Sequence, residues 1–228
     1  MGIVMERKII LINGIKRVGK STLADMLSQF IRNSFIYHLA DHLRVQVQVS
    51  YGYYDFNPHM MDKIKDDPRP EFGGAKFREL CFSMAESNMK VLHGKSFYSE
   101  ILCRKILHET PENGTIIIPD LGFVSEVPSF INYFGIDNLK FFRLIRPGVE
   151  NHGDTRKYLS WNDIASYDEP PTQFQIGPHR FPEGIPEQPI HDIYNYEGRQ
   201  FEAVKEILVA CEDFLLGDPE EYQSVSKL

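Results

Sequence analysis

Gly14-Ile15-Lys16-Arg17-Val18-Gly19-Lys20-Ser21 is the most informative segment of this chain. Two glycines with four residues between them, followed by Lys and Ser, fit the pattern of a phosphate-binding loop. The aliphatic run 9–12 before it predicts a buried parallel strand, and residues 22–30 after it predict a helix with one apolar face. Strand, glycine loop and helix are the context that this motif requires, so the sequence predicts an α/β fold.

The residue types in this loop suit a polyphosphate. Gly14 and Gly19 permit backbone turns in which successive amide groups point inward, and these amides can hold the β- and γ-phosphates of a nucleotide. The positive end of the following helix adds to this attraction. Lys20 supplies a point charge to the same oxygens, and the Ser21 hydroxyl is a ligand for Mg²⁺. The alternative is a glycine turn that merely joins a strand to a helix.

Composition narrows the class of protein. The 228 residues are 42% hydrophobic and 25% charged, which is ordinary for a soluble globular protein and sufficient for one large α/β domain. No run of 18 apolar residues or signal-peptide segment is present, so we expect no membrane span. A net charge of −7 argues against stable nucleic-acid binding. The widely spaced Cys81, Cys103 and Cys211 predict buried thiols in a reducing cytoplasm.

Two further strand ends carry polar side chains. The run 35–39 predicts a strand followed by Asp41 and Arg44, and the run 115–120 predicts a strand that ends in Asp120. The carboxyl ends of strands face the ligand crevice in α/β sheets. We therefore expect Asp41 and Arg44 to meet a second substrate, and Asp120 to hold Mg²⁺ directly or through water, as in a Walker-B strand. Asp41 can also be a helix N-cap for the next segment, and that role does not exclude the first.

Two irregular stretches interrupt the regular pattern. Residues 50–74 mix aromatic residues with Pro, Gly and charge, with one short helix around 60–65. They predict a substrate-side insertion that folds over a flat base, or equally a loop packed on the body. Residues 147–189 begin polar and become rich in proline; with Arg146 and Arg156 they predict a lid whose arginines meet the charge on a transferred group.

The remaining segments complete a single domain. Strands are predicted at 139–145 and 190–195, and helices at 76–85, 96–106 and 201–211. Arg78, at the start of the first of these helices, is placed to bind an anion or is simply solvated. The predicted single domain is residues 1–228, with a core of about 7–49, 75–146 and 190–216.

With these residues in place, the chain resembles the bacteriophage deoxynucleoside monophosphate kinases, a branch of the P-loop nucleoside monophosphate kinases. The resemblance runs in order along nearly the whole chain, and only the phosphate loop is highly specific by itself. Five stretches carry it: residues 14–22 with the Lys16-Arg17 pair, Leu39-Ala40-Asp41-His42-Leu43-Arg44, Phe77-Arg78-Glu79-Leu80, Ile118-Pro119-Asp120-Leu121-Gly122-Phe123-Val124-Ser125-Glu126, and Asp192-Ile193-Tyr194-Asn195-Tyr196-Glu197-Gly198.

The resemblance implies a three-layer α/β/α P-loop fold with a mostly parallel sheet and inserted substrate-binding and lid segments. It implies that ATP, with Mg²⁺, phosphorylates the 5′-phosphate of a deoxynucleoside monophosphate. It also implies a cytoplasmic location, that of the host if a phage encodes the chain, and makes a homodimer plausible. The implied ATP-binding residues are Gly14, Lys16, Arg17, Val18, Gly19, Lys20, Ser21, Thr22 and Asn195. The other implied roles are catalysis by Lys20, Asp120, Arg146 and Arg156, acceptor binding by Asp41, Arg44 and Arg78, and Mg²⁺ binding by Ser21 and Asp120.

One position departs from the family pattern. Gly122 stands where that pattern tends to have Arg, so another cation, such as Arg78 or Arg44, must substitute if that Arg binds the monophosphate. Two other functions keep the phosphate loop. One is a kinase with a hydroxyl acceptor, in a small metabolite or a modified base of DNA, for which Asp41 or Asp120 is the base. The other is a non-catalytic nucleotide-binding module.

Overall fold

A computed structural model of the chain describes residues 7–52, 65–150 and 156–215. Its sheet has five parallel strands in the order β2-β3-β1-β4-β5, where β1 is Lys8–Asn13, β2 Ser34–Ile36, β3 Thr115–Leu121, β4 Leu139–Ile145 and β5 Ile190–Tyr194. The α/β class and the parallel sheet agree with the sequence prediction.

Helices cover both faces of the sheet, because side chains alternate along each strand. Ile10 and Ile12 of β1 pack on α1 (Lys20–Phe30), α8 (Gln200–Ala210) and α9 (Glu212–Leu215). Ile9 and Leu11 pack on the other side, against α5 (Phe97–Glu109), α6 (Val127–Phe134) and α7 (Trp161–Ala165). Both faces of β1 are therefore buried, as a central parallel strand requires.

A smaller group of helices lies beside these layers. α2 (Ala40–Ser50) packs on α3 (Phe77–Met84) through Val47 and Phe77, with Phe72 of a 3₁₀ turn at Pro70–Phe72. A π-helical turn, Ala85–Met89, and the short α4, Lys90–His93, connect α3 to α5. Two further 3₁₀ turns, Val124–Glu126 and Ile136–Asn138, flank α6. These helices form one wall of the cleft described below.

Several boundaries differ from the sequence prediction. β2 is Ser34–Ile36, shorter than the predicted 35–39, because the chain leaves the edge of the sheet and enters α2 at Ala40. The helix Trp161–Ala165 was not predicted; its apolar side is only Trp161 and Ile164, too short for a periodic signal. Most of the short helix predicted around 60–65, and the tail from 216, lie outside the described residues.

No helix in the described residues is long and apolar enough to cross a membrane. All three cysteines are free thiols: Cys103 in α5 and Cys211 at the end of α8 are buried as predicted, whereas Cys81 in α3 is only half-buried.

Candidate active site

A cleft of about 780 Å³ lies at the carboxyl ends of the strands. The chain leaves β1 toward β2 and β3 on one side and returns to β4 and β5 on the other, so β1 lies where the direction of the connections reverses. Such a switch point is where open α/β sheets bind ligands. Residues that follow β1, β2, β3 and β4 all line the cleft, whose volume suits a small-molecule ligand.

Close packing explains the two glycines of the loop after β1. A Cβ on Gly14 would lie 2.7 Å from the carbonyl oxygen of Leu144, and one on Gly19 would lie 2.5 Å from Nδ2 of Asn195. Gly19 also has φ of 95°, and Arg17 has φ of 71°, so the loop contains left-handed residues. Asn195 donates from Nδ2 to the carbonyl oxygen of Val18 at 2.7 Å. Asn195 thus supports the loop from behind.

Lys20 is the first residue of α1 and is buried, with 8% of its surface exposed. Its Nζ donates to the carbonyl oxygens of Gly14 (2.5 Å) and Ile15 (2.7 Å), so its ammonium group lies within the loop that it follows. Ser21 and Thr22, in the first turn of α1, are exposed and line the cleft. The N-terminus of α1 has no side-chain cap, so its first amides are available to an anion.

The cleft is far more basic than the chain as a whole. Nine Lys and Arg side chains line it against four carboxylates, although the chain carries a net charge of −7. A local excess of cations in a concave site attracts an anionic ligand. The cations are Lys16, Arg17, Lys20, Arg44, Lys65, Arg78, Lys90, Arg146 and Arg156, and the acids are Asp66, Glu86, Asp120 and Glu126.

Asp120 connects the end of β3 to the start of α2. Its Oδ1 accepts from the Leu39 amide (2.9 Å) and its Oδ2 from the Ala40 amide (3.2 Å), so this carboxylate caps α2. The pairing of β3 with β1 slips by one residue at Pro119 and Asp120, a bulge that turns Asp120 out of the ladder. The alternative that Asp41 caps this helix is therefore wrong.

Glu126 lies in the cleft wall, close to Asp120. Its Oε2 accepts from the amides of Gly122 (2.8 Å) and Phe123 (2.9 Å). Burial raises the pKa of the Glu126 carboxyl to about 7, with the negative charge of Asp120 acting in the same direction, whereas the two amides and Lys90 oppose the shift. Glu126 is a half-buried acid in the cleft lining that can exist in either protonation state near neutral pH.

Asp66 joins the loop after β1 to α3. Its carboxylate receives two bonds from Arg78, Nε to Oδ1 at 2.5 Å and Nη2 to Oδ2 at 3.0 Å, and Lys16 Nζ lies 3.9 Å from Oδ2. The hydrogen bond from Arg78 is the main reason that the pKa of Asp66 falls to about 2. An acidic side chain thus lies between two cations that the sequence assigned to different substrates.

The two predicted lid arginines both line the cleft. Arg146 follows β4, and its Nη2 lies 3.2 Å from Oε2 of the exposed Glu197. Arg156 lies across the end of β3 at Gly122. The lid prediction also includes residues 151–155, which lie outside the described residues.

Of the site residues named from the sequence, most line this one cleft: Lys16, Arg17, Gly19, Lys20, Ser21, Thr22, Arg44, Arg78, Asp120, Arg146 and Arg156. Four do not line it. Gly14, Val18 and Asn195 form the loop and its support, and Asp41 turns to Arg44, whose Nη1 lies 3.2 Å from its Oδ1.

Several lining residues had no part in the sequence prediction of the site. Lys65, Asp66 and Lys90 come from irregular or short segments whose position relative to the sheet no local pattern reveals. The apolar lining, Leu43, Cys81, Phe82, Ala85, Tyr98 and Phe123, comes from α2, α3, α5, the π-helical turn and the turn after β3. One feature of the sequence could have identified Asn13, which hydrogen-bonds to two other segments: it is a polar residue at the end of a buried strand.

The donor chemistry of this end of the sheet fits Mg²⁺. The Ser21 hydroxyl and the Asp120 carboxylate line the same cleft and are hard oxygen ligands. Because both Asp120 oxygens already accept backbone amides, contact through water suits this carboxylate. The described residues contain no group of three or more His, Cys, Asp or Glu side chains arranged as a metal site.

Comparison with known proteins places this chain in no family. No family model and no curated protein matches it. Among solved structures, it is similar to an unliganded sugar kinase from Janibacter sp. HTCC2649, with 11% identity and a TM-score of 0.41 over 96% of this chain and 99% of that chain. A similarity this low supports no inference about fold or function.

Proposed function

We propose that this chain is an ATP-dependent deoxynucleoside monophosphate kinase. The observation that carries the proposal is a glycine loop and uncapped helix at the end of the central strand, opening into a cleft with nine cations in an acidic protein. A glycine loop with Lys20 and Ser21 suits the donor triphosphate. The surplus of cations suits a second phosphorylated ligand.

The acceptor belongs in the part of the cleft formed by α2, α3 and the turn after β3. Arg44 and Arg78 supply charge there for a monophosphate. Phe82, Tyr98 and Phe123 supply flat apolar surfaces that suit a nucleobase. Phosphate and base are thereby matched by different side chains in one cleft.

The chemistry in this proposal is alignment and neutralisation of charge. The acceptor phosphate is already ionised, so transfer requires no strong general base. Lys20 and the loop amides hold the β- and γ-phosphates, and Arg146 and Arg156 face the charge on the transferred group. Mg²⁺, held by Ser21 and through water by Asp120, would neutralise phosphate charge when bound.

A coupled assay with ATP, Mg²⁺ and each common dNMP, including 5-substituted pyrimidine nucleotides, tests the proposal. We expect turnover of at least one dNMP and a loss of about 100-fold or more in kcat for Lys20→Ala. Lys205→Ala, an exposed lysine on α8, is the matched control and should match the wild type. Absence of turnover with every dNMP would contradict the proposal. Unimpaired turnover by Lys20→Ala would contradict the role of the loop.

One observation favours a second candidate, a kinase with a hydroxyl acceptor. Such an acceptor requires a base, and Glu126 lies in the cleft with its pKa raised by burial to about 7, a value suited to a general base. The two functions differ in their response to a nucleoside without phosphate. Turnover of nucleosides that Glu126→Gln abolishes supports the second candidate, whereas turnover of monophosphates alone supports the first.

A further inference from the structure

The Arg156 side chain occupies the space that a side chain at residue 122 would need. A Cβ on Gly122 would lie 2.8 Å from Cδ and 2.9 Å from Cγ of Arg156, closer than real side chains approach. The backbone does not explain the glycine, because Gly122 is not among the residues with left-handed φ. The obstacle to a side chain at residue 122 is therefore the Arg156 side chain that crosses it.

The segment that carries Arg156 is fixed at the end of the sheet. Asn13, buried at the end of β1, donates from Nδ2 to the carbonyl oxygens of Leu121 (3.0 Å) and Lys157 (3.1 Å). Its Oδ1 accepts from the Leu159 amide at 2.9 Å. One side chain thus ties the residue after Arg156 to the residue before Gly122.

Neighbouring contacts hold both sides of this crossing. Trp161 packs edge-on against Phe141 of β4, with ring centroids 5.8 Å apart, and anchors the chain beyond Leu159. On the other side, the Gly122 and Phe123 amides donate hydrogen bonds to Glu126 and fix the turn after β3. With both backbones held, a side chain at residue 122 can be accommodated only if Arg156 rotates away from the crossing.

We propose that Gly122 is a positioning residue whose missing side chain keeps the Arg156 guanidinium in the cleft. This inference rests on the proposed function, in which Arg156 faces the transferred phosphoryl group. The glycine also accounts for the cation at the end of β3: the Arg156 side chain, from the segment before α7, passes over Gly122 to line the cleft there.

Kinetics of Gly122→Ala, Arg156→Ala and the double variant test the inference. We expect both single variants to lose about 10- to 100-fold in kcat, and the double variant to be no worse than Arg156→Ala, because both changes remove the same guanidinium. Multiplying losses in the double variant would overturn the inference, and so would wild-type activity in Gly122→Ala. A folding defect caused by this clash would be relieved in the Arg156→Ala background, so kcat is expressed per mole of folded protein, measured by circular dichroism. Misfolding alone then predicts a wild-type kcat for Gly122→Ala, which would overturn the inference.

Moving the guanidinium from residue 156 to residue 122 is a second test. Recovery of kcat would not be expected if Gly122 had only a structural role. Gly122→Arg introduced into Arg156→Ala places a guanidinium on the same strand end, and we expect it to recover about tenfold in kcat. Failure of any recovery in a folded double variant would count against the inference. Lys205→Ala, an exposed lysine of α8 outside the cleft lining, is the control and should keep wild-type rates.

Failure of the inference differs from failure of the proposed function. If the wild type phosphorylates dNMPs but Gly122→Ala does so equally well, only the inference fails. If the wild type turns over no dNMP, calorimetric binding of ATP replaces kinetics as the readout. Equal weakening of ATP binding in Gly122→Ala and Arg156→Ala then supports the inference that Gly122 positions Arg156. Unequal or absent weakening of ATP binding overturns it.

Discussion

Asp120 and Glu126 show how two carboxylates in one cleft acquire different properties. Asp120 accepts hydrogen bonds from the two backbone amides at the start of α2, those of Leu39 and Ala40. Glu126 accepts hydrogen bonds from two amides of its own turn, and burial disfavours its ionised form. The raised pKa of Glu126 means that the folded chain binds its proton more tightly than the unfolded chain does. Stability must therefore depend on pH through this residue.

Glu126→Gln should remove that dependence. The folded pKa of about 7 exceeds the ordinary value of 4.5, so the Glu126 contribution is fully present below 4.5 and is lost as pH rises toward 7. We expect the free energy of unfolding of the variant to gain on the wild type by about 1–3 kcal/mol between these limits, since the amide oxygen still accepts both backbone bonds. Urea unfolding at a series of pH values measures this. A constant difference across the series would disprove the assignment.

Asp66 presents a carboxylate to two cations that the proposed substrates require. Its ion pairs with Arg78 and Lys16 are half-exposed, so each is worth little on its own. A bound phosphate must nevertheless compete with this carboxylate for the same donors. The residue therefore sets a small cost on binding.

Asp66→Asn should lower the KM for the acceptor by about 2- to 5-fold, the range expected for one exposed ion pair. Initial rates over a range of dNMP concentrations give this value. Asp67→Asn, on the exposed neighbouring residue, serves as the control and should leave KM unchanged. A higher KM in Asp66→Asn would show that Asp66 holds Arg78 in its binding position instead of competing for it.

Among the elements, the side chain of Asn13 connects three separate parts of the chain: the end of β1, the end of β3 and the segment before α7. Its three hydrogen bonds are buried or partly buried and span more than 100 residues of sequence. The ends of β1 and β3 and the segment before α7 are therefore held together by one side chain. Loss of this residue should damage both stability and the position of Arg156.

Asn13→Ala leaves two carbonyl oxygens and one amide without partners. We expect a loss of about 2–4 kcal/mol in unfolding free energy and a kcat that falls in the same direction as in Arg156→Ala. Denaturant unfolding and steady-state kinetics measure the two effects. Asn162→Ala, at an exposed position of α7, should change neither. An unchanged stability for Asn13→Ala would refute the clamp.

Over the whole molecule, charge is distributed unevenly. The chain is acidic, yet the cleft at the strand ends is lined by nine cations. The mutual repulsion of these cations opposes folding until an anion binds. Polyphosphates should consequently stabilise the entire fold.

ATP with Mg²⁺ at about 100 times its Kd should stabilise the chain by about 2.7 kcal/mol, equivalent to about 5–10 °C in Tm for a domain of this size. Thermal denaturation with and without nucleotide gives the shift, which should decrease with added salt. Lys20→Ala should show a much smaller shift, whereas Lys205→Ala should behave as the wild type. Equal shifts in all three proteins would mean that the nucleotide binds elsewhere.

Local sequence determined the strands, the loop and its helix, because periodicity and glycine geometry act within about ten residues. The buried run of β1, the glycines at 14 and 19 and the apolar face of α1 needed no knowledge of the rest of the chain. Most of the cations of the cleft were also identified, because residues after parallel strands meet at one edge of the sheet.

Tertiary structure decided which of these side chains meet. Asp120 caps α2 from 80 residues away, Asp66 lies between Lys16 and Arg78, and Arg156 crosses Gly122. Each pairing depends on strand order and on how two backbones are held, and neither is encoded in the spacing of residues along the chain. The sequence by itself predicted a glycine loop between a strand and a helix of an α/β sheet, because that pattern is local. Only the packing of distant segments brings an arginine across a glycine beyond β3.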